Sequence, residues 1–301
     1  MNPTRHPGLC TRRLCLQRWS LASAAAGLAL STPWAVAQGA KRLKVGLTPF
    51  LSPRQLMGTF EPLRLHLAAR LQREVEFYTA PSFERMLDNA RAPDQPFTLM
   101  PVHLALMAIE DWGFTLVARS TAESTLALWQ PPEMAAPWPA DAAPAAVLQA
   151  LRGRRIGLSG ALTLAALAVE RWREERGLVS AVELRPHANL SGAVLAVRRG
   201  DVDFVGAPDT ALRDSLPPGS PDFRRFLTLG RLEAPAFVAS PAAAPADVAA
   251  LRAALLAFGG AGTSFASAQY AAGTAADLSP WRSYATRARQ LLATAAETRP
   301  R

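Results

Sequence analysis

From Leu43 onward, apolar residues alternate between two periods. Leu43, Val45 and Leu47 share one face of a short strand, which Thr48-Pro49-Phe50-Leu51-Ser52-Pro53 breaks. Leu56, Phe60, Leu63, Leu67 and Leu71 then recur at helical spacing, predicting a helix over 54–73 that starts at Pro53 and is bent or interrupted at Pro62. The alternation continues with strand 75–78, helix 83–90, strand 97–100, helix 102–110 and two apolar runs at 114–118 and 125–129. From Pro131 to Ala146 the chain turns to Pro and Ala, a surface excursion. A second series follows: strand 155–158, helix 162–176, strand 181–185, helix 190–198, strand 202–205 and helix 210–214. Strand-length runs come next at 226–229 and 236–239. The end is Ala-rich, with helices predicted at 245–258, near 263–270 and at 281–295.

Strands alternating with helices predict parallel sheets in an α/β fold. The order of elements also repeats. Each half opens with a strand and a serine-containing turn before a long helix, at Leu47–Ser52 and again at Gly157–Thr163. The expected architecture is therefore two-lobed, with lobe 1 formed by 41–122 and 237–301, and lobe 2 by 123–236. Hinge strands fall near Ser120–Leu126 and Gly230–Phe237, and the strand-end loops of both lobes meet in one cleft, where open α/β sheets take ligands.

Charge changes this picture at one end of the chain. The net charge is +9, and four of those charges (Arg5, Arg12, Arg13 and Arg18) lie in residues 1–37, which hold no acid. Thr11-Arg12-Arg13-Leu14-Cys15-Leu16 resembles the twin-arginine export motif, a weakly apolar stretch runs from Leu21 to Leu30, and Ala35-Val36-Ala37 offers a cleavage site. General secretion is the competing route. The segment predicts a periplasmic protein. Both cysteines, Cys10 and Cys15, lie inside it, so thiol and disulfide chemistry leave with it. Elsewhere basic residues interleave with acids, as in Glu170-Arg171-Trp172-Arg173-Glu174-Glu175-Arg176, which reads as a solvated helix face and not a nucleic-acid surface.

The chemistry converges on Arg154-Arg155-Ile156-Gly157-Leu158-Ser159-Gly160-Ala161-Leu162-Thr163. A strand, a tight turn and a helix start present unpaired N–H groups and the positive end of a helix dipole, joined here by the Ser159 and Thr163 hydroxyls. The structural alternative is a plain N-cap and turn. The stretch lacks the Gly-Lys-Ser/Thr of a nucleotide loop, and no His, Asp or Glu group has metal-ligand spacing, so neither a nucleotide cofactor nor a metal is expected.

These residues resemble the phosphate/phosphite/phosphonate type of periplasmic substrate-binding protein of ABC transporters, over roughly Leu43 to Phe258. The opening Val45-Gly46-Leu47-Thr48-Pro49-Phe50-Leu51-Ser52-Pro53 is similar to the family's strand and Ser-Pro turn. Arg152–Gly160 is similar to the strand before its anion-binding helix start. Pro186-His187-Ala188-Asn189-Leu190 through Arg199-Gly200-Asp201-Val202-Asp203 resembles its histidine before a helix and the "V-x-x-G-x-V-D" ending. Three features depart from the pattern. Only Ser159 precedes Gly160 where the family has several hydroxyls. Phe97–Pro101 with His103 replaces an aspartate-containing run. The position nearest to the late carboxylate that some members place against an amino group is Ala234, with Glu233 beside it.

The resemblance implies a type II-like two-lobed binding protein. It would capture a small oxyanion, phosphate- or phosphonate-like or an organic acid, for an ABC permease in the inner membrane, as a monomer and without catalysis. Ser52, Met100, His103, Ser159, Gly160, Thr163 and His187 are the candidate ligand residues. Asp209 reads as a helix cap, Asp201 and Asp203 as turn and solvent residues, and His66 as structural. Two rivals stay open: a ligand sensor feeding a periplasmic sensor kinase, and an exported enzyme on the same scaffold.

Overall fold

The computed structural model describes residues 42–134, 143–217, 219–260 and 268–297, with the side chain of Pro144 excluded. The export segment, Trp138 and most of the stretch near 263–270 lie outside the described residues.

Two mixed sheets carry the fold. The first takes β1 (Leu43–Leu47), β2 (Val75–Tyr78), β3 (Phe97–Met100), β4 (Thr115–Ser120), β10 (Ala236–Ala239) and β11 (Tyr270–Ala271), in the order β11-β4-β10-β3-β1-β2. The second takes β5 (Glu123–Gln130), β6 (Arg154–Ser159), β7 (Val182–His187), β8 (Phe204–Pro208) and β9 (Arg224–Glu233), in the order β7-β6-β8-β5-β9. The β1, β2 and β3 ladders are parallel, as are those of β6 with β7 and β8. Both sheets also hold reversed strands, β10 and β11 in one and β5 in the other, each antiparallel to its neighbours, so neither is the all-parallel sheet that simple alternation predicts. The reason is topological. The chain crosses between sheets twice, from β4 into β5 and from β9 back into β10, and a strand arriving from the other sheet enters against the local direction.

The helices follow their apolar stripes. In α1 (Pro53–Leu71) Leu56, Phe60, Leu63 and Leu67 are fully buried, and the helix runs unbroken through Pro62. Burial of that stripe on both sides of the proline outweighs the one backbone bond lost there. The second helix, α2 (Phe83–Ala90), is capped by Ser82, whose hydroxyl accepts from the Arg85 N–H; it is followed by α3 (Val102–Trp112). Helix α4 (Pro144–Leu151) occupies the end of the expected excursion. In the second sheet come α5 (Leu164–Glu175), α6 (Leu190–Arg198) and α7 (Asp209–Ser215). The chain ends with α8 (Pro245–Leu256), a 3-10 turn at Ala275–Trp281, and α9 (Arg282–Glu297). Tyr270, expected in a helix, instead pairs with Ser120 as a sheet edge, with its ring against Phe237. An aromatic ring buried in the sheet prevails over the local Ala-rich propensity.

The two sheets do not have separate cores. Phe60, Phe97 and Phe237 share one apolar cluster with Val194, Val197 and Ala211, while Met100 and Leu104 share the other with Ile156, Leu167 and Phe204. The C-terminal α9 lies across the join. Arg289 pairs with Glu110 and Asp111 of α3, while Arg287 pairs with Glu170 of α5. Among the described residues no helix is long and apolar enough to cross a membrane.

Candidate functional site

The C-terminal ends of β1, β3, β6 and β8 face one another across the junction of the sheets. They enclose a cavity of about 70 Å³, which the β9–β10 crossover closes from one side. Its polar wall consists of Thr48, Ser159, Thr163 and Glu233; the rest is apolar, with Phe50 and Phe83 from one side and Leu190 and Leu232 from the other. A larger hollow of about 620 Å³ lies on the flank between α5 and the edge strand β7 and opens to solvent. Its volume is greater, but the strand ends converge on the small one.

On the β6 side, the local sequence explains the cavity wall. Strand β6 ends at Ser159, and Gly160 turns the chain at a φ of +74°, the left-handed region that suits glycine. The Gly160 N–H is taken up by the Leu158 carbonyl at 3.2 Å. Thr163 is the N-cap of α5: its hydroxyl accepts from the Ala166 N–H at 3.1 Å and approaches the Gly160 carbonyl at 3.2 Å. With the cap supplied by Thr163, the Ser159 hydroxyl is left over. It finds no protein partner among the described residues, and Ser159 is 5% exposed. Leu164 and Ala165, whose N–H groups belong to the unpaired first turn, line the same cavity.

The β1 side differs. The Ser52 hydroxyl donates to Gln55 Oε1 at 2.5 Å and leaves α1 without a side-chain cap. The Ser191 hydroxyl donates to that same Gln55 oxygen at 2.5 Å, and Gln55 Nε2 donates to the Ser215 carbonyl at 2.8 Å. The Leu190 N–H donates to the Phe50 carbonyl at 3.0 Å. Ser52 thus belongs to a clasp between the first sheet's leading loop and α6 and α7.

The other candidates lie beneath or beside the cavity. Met100 has no exposed surface and packs in the core below it. His103 is fully buried, with Nε2 3.0 Å from the Leu162 carbonyl and Nδ1 without a partner among the described residues. Burial holds its imidazole down at about 4, against an opposing contribution from the Leu162 hydrogen bond. His103 is a neutral brace that ties α3 to the α5 turn. His187 pairs with Ser159 in register, yet it is not among the cavity-lining residues. Its ring runs inward: Nε2 is buried without a partner among the described residues and lies 3.5 Å from where a Cβ on Gly157 would sit. Burial lowers its pKa, helped by Arg185 and opposed by Asp201.

Three acidic residues divide the supporting work. Asp209 Oδ1 accepts from the Ser124 hydroxyl and from the Thr125 and Thr210 N–H groups, at 2.8, 3.1 and 2.8 Å, and so fixes β5 against the start of α7. Asp203 is more than the turn-and-solvent residue expected: it accepts from the Arg155 N–H at 2.8 Å and pairs with the Arg154 and Arg155 guanidiniums. Glu233 reaches the cavity wall because β9 extends further than its apolar run predicts. Thr48, which no sequence motif singles out, is 1% exposed, and its hydroxyl has no partner among the described residues. Its place in the Thr-Pro turn after β1 was the available signal. Gln55 gave none, because its partners lie far along the chain. Among the described residues no three His, Cys, Asp or Glu side chains converge as a metal site would require.

A model of the ABC-transporter phosphonate periplasmic substrate-binding proteins matches residues 45–280. No curated protein sequence matches the chain. Among solved structures, the fold is similar to that of PhnD1 from Prochlorococcus marinus (MIT 9301) in complex with methylphosphonate. That likeness has a TM-score of 0.70 at 12% identity and covers 82% of this chain and 98% of that one. A binding-protein component of an ABC phosphonate transporter from Pseudomonas aeruginosa gives 0.66 at 13% identity, covering 83% and 88%. XAC2383 from Xanthomonas citri, bound to ATP, gives 0.57 at 15% identity, covering 83% and 98%. At these identities the likeness is one of fold.

Proposed function

The chain belongs to the phosphonate-type periplasmic substrate-binding proteins of ABC transporters, and from that membership we propose that it captures a small oxyanion, phosphonate-like or an organic acid, and delivers it to an inner-membrane ABC permease. The observation that carries the reading is the α5 start. A capped helix, two first-turn N–H groups and the spare Ser159 hydroxyl line a cavity between the sheets. Such a terminus attracts negative charge, and each charge-assisted hydrogen bond contributes about 1.5–3 kcal/mol. Three or four of these, less the cost of ordering, support micromolar binding.

In this reading Ser159, Thr163 and the first N–H groups of α5 hold the ligand, with Gly160 shaping the turn. Ser52 acts through the Gln55 clasp, Met100 and His103 support the floor, and His187 backs β6. Residues 41–122 with 237–301, and 123–236, act as the two lobes, moving about the β4–β5 and β9–β10 crossovers. Residues 1–37 direct export and are removed near Ala37. The protein binds as a monomer and does not turn its ligand over. The test is a thermal-shift and calorimetric panel of phosphate, phosphite, alkylphosphonates, sulfonates and short carboxylates. Saturable binding by one class, weakened at least about tenfold by Ser159→Ala, is the expected result. Silence across the panel overturns the reading, and turnover of a bound ligand overturns its non-catalytic part.

A further inference from the structure

The walls of the interlobe cavity differ in charge, and the difference bears on which oxyanion fits. Its polar end holds the start of α5, the Ser159 hydroxyl and Thr48. Thr48 is an independent sign of a ligand: it is 1% exposed, and its hydroxyl is buried with no partner among the described residues. Leaving a buried hydroxyl unpaired is costly, so a polar group arriving there recovers a real loss. Glu233 is the one charged residue among the described lining residues, none of which is Lys, Arg or His. Phe50, Phe83, Leu190 and Leu232 supply apolar surface around the remainder. At about 70 Å³ the space takes a small head group with little more than one or two carbons.

A helix start carries roughly half a unit of positive charge, and two hydroxyls add donors. That set compensates one negative charge. A second has no cation among the lining residues to meet it, enters a largely apolar space and faces a carboxylate. We propose that the cavity is a charge filter, taking a small oxyanion with one negative charge and a short hydrocarbon group and rejecting doubly charged oxyanions. The proposal rests on the capture reading above and adds Thr48 and Glu233 as the residues that set its selectivity. At an effective dielectric of ~20, and discounted for the partial exposure of Glu233, a second charge lodged in the same cavity costs about tenfold or more in affinity.

The experiment compares matched ligands by calorimetry on the exported, purified protein. Methanesulfonate is set against sulfate, and the monomethyl ester of methylphosphonic acid against methylphosphonate held well above its second ionisation. The singly charged member of each pair is expected to bind at least about tenfold tighter. Glu233→Gln brings that ratio toward one. Thr48→Val weakens the singly charged member at least about fivefold, while Thr48→Ser, which keeps the hydroxyl, restores it. Equal or tighter binding of the doubly charged members overturns the filter and leaves the capture reading standing. A ratio untouched by Glu233→Gln removes the carboxylate from the proposal and overturns it in this form. If neither member of either pair binds, the filter is overturned, and silence across the wider panel then overturns the capture reading too.

Discussion

Two helix starts face the junction of the sheets, and they use the same ingredients differently. Each follows a strand whose C-terminal end points into the interlobe space, and each has a serine in its turn: Ser52 before α1 and Ser159 before α5. Ser52 donates its hydroxyl to Gln55, whose amide also meets Ser191 and the Ser215 carbonyl. Thr163 caps the helix in place of Ser159, whose hydroxyl has no partner among the described residues. A helix start can serve a ligand only when another residue does its capping and no protein group stands in front of it. The β1 side is a clasp, and the β6 side is the one that the proposed capture uses.

The strongest way to break this comparison is one substitution made at both places. Ser159→Asp puts a carboxylate on a 5% exposed position beside the ligand's charge, and it is expected to abolish detectable binding. Ser52→Asp places the same group at an uncapped, half-buried helix start, where a carboxylate is a favourable cap and meets the dipole well. There, affinity is expected to stay within about threefold and the melting temperature to change little, because the gained cap is offset by the lost donation to Gln55 Oε1. Calorimetry and thermal melts on both variants decide it. Loss of binding in both would mean that Ser52 touches the ligand after all.

Acid separates the two sides in a second way. The brace on the β6 side is His103, whose burial holds its pKa at about 4, below the ordinary 6.5. The brace on the β1 side is an amide that does not titrate. Above pH 6.5 His103 is neutral both folded and unfolded, so its contribution is constant. As pH falls from 6.5 toward 4, the unfolded chain takes up the proton first and stability is lost, by at most about 1.4 kcal/mol per pH unit. Urea midpoints measured at neutral pH and near pH 4.5 are expected to differ more in the parent protein than in His103→Gln. An equal loss in both would assign the acid sensitivity to other groups.

The same contrast explains what the sequence disclosed. The capped turn at Ser159–Thr163 was legible because strand, glycine, cap and helix all lie within about ten residues, where local rules operate. The duplicated order of elements followed from apolar periodicity, and α2, α6 and β3 carry the boundaries that periodicity set. The clasp was not legible: Gln55 and Ser191 are 136 residues apart, and nothing in either neighbourhood signals the other. His103 and His187 looked alike as histidines at the ends of elements, but burial separates them, and burial depends on what packs above. Thr48 was hidden for the opposite reason, since a Thr-Pro turn is ordinary until a second lobe closes over it. The edge strand at Tyr270 and the helix after Pro144 were missed where Ala-rich sequence leaves tertiary contacts to choose.

The smallest effect offers the sharpest control. Thr163 and Asn189 both cap helices of the second sheet, each through one side-chain oxygen, to the Ala166 N–H at 3.1 Å and the Gly192 N–H at 3.0 Å. Alanine at either position is expected to cost about 1 kcal/mol and roughly 2–4 °C in melting temperature. Their consequences for binding should diverge. Without Thr163 the Ser159 hydroxyl becomes the nearest substitute for the α5 N–H groups, so the receptor side starts to resemble the clasp side and affinity falls several-fold. Without Asn189 the start of α6 frays, while the Leu190 N–H still reaches the Phe50 carbonyl and the cavity keeps its donors. Matched melting losses with a binding loss confined to Thr163→Ala would show that the group of donors at the α5 start, and not general stability, distinguishes the two helix starts. Matched binding losses would mean that capping alone accounts for both.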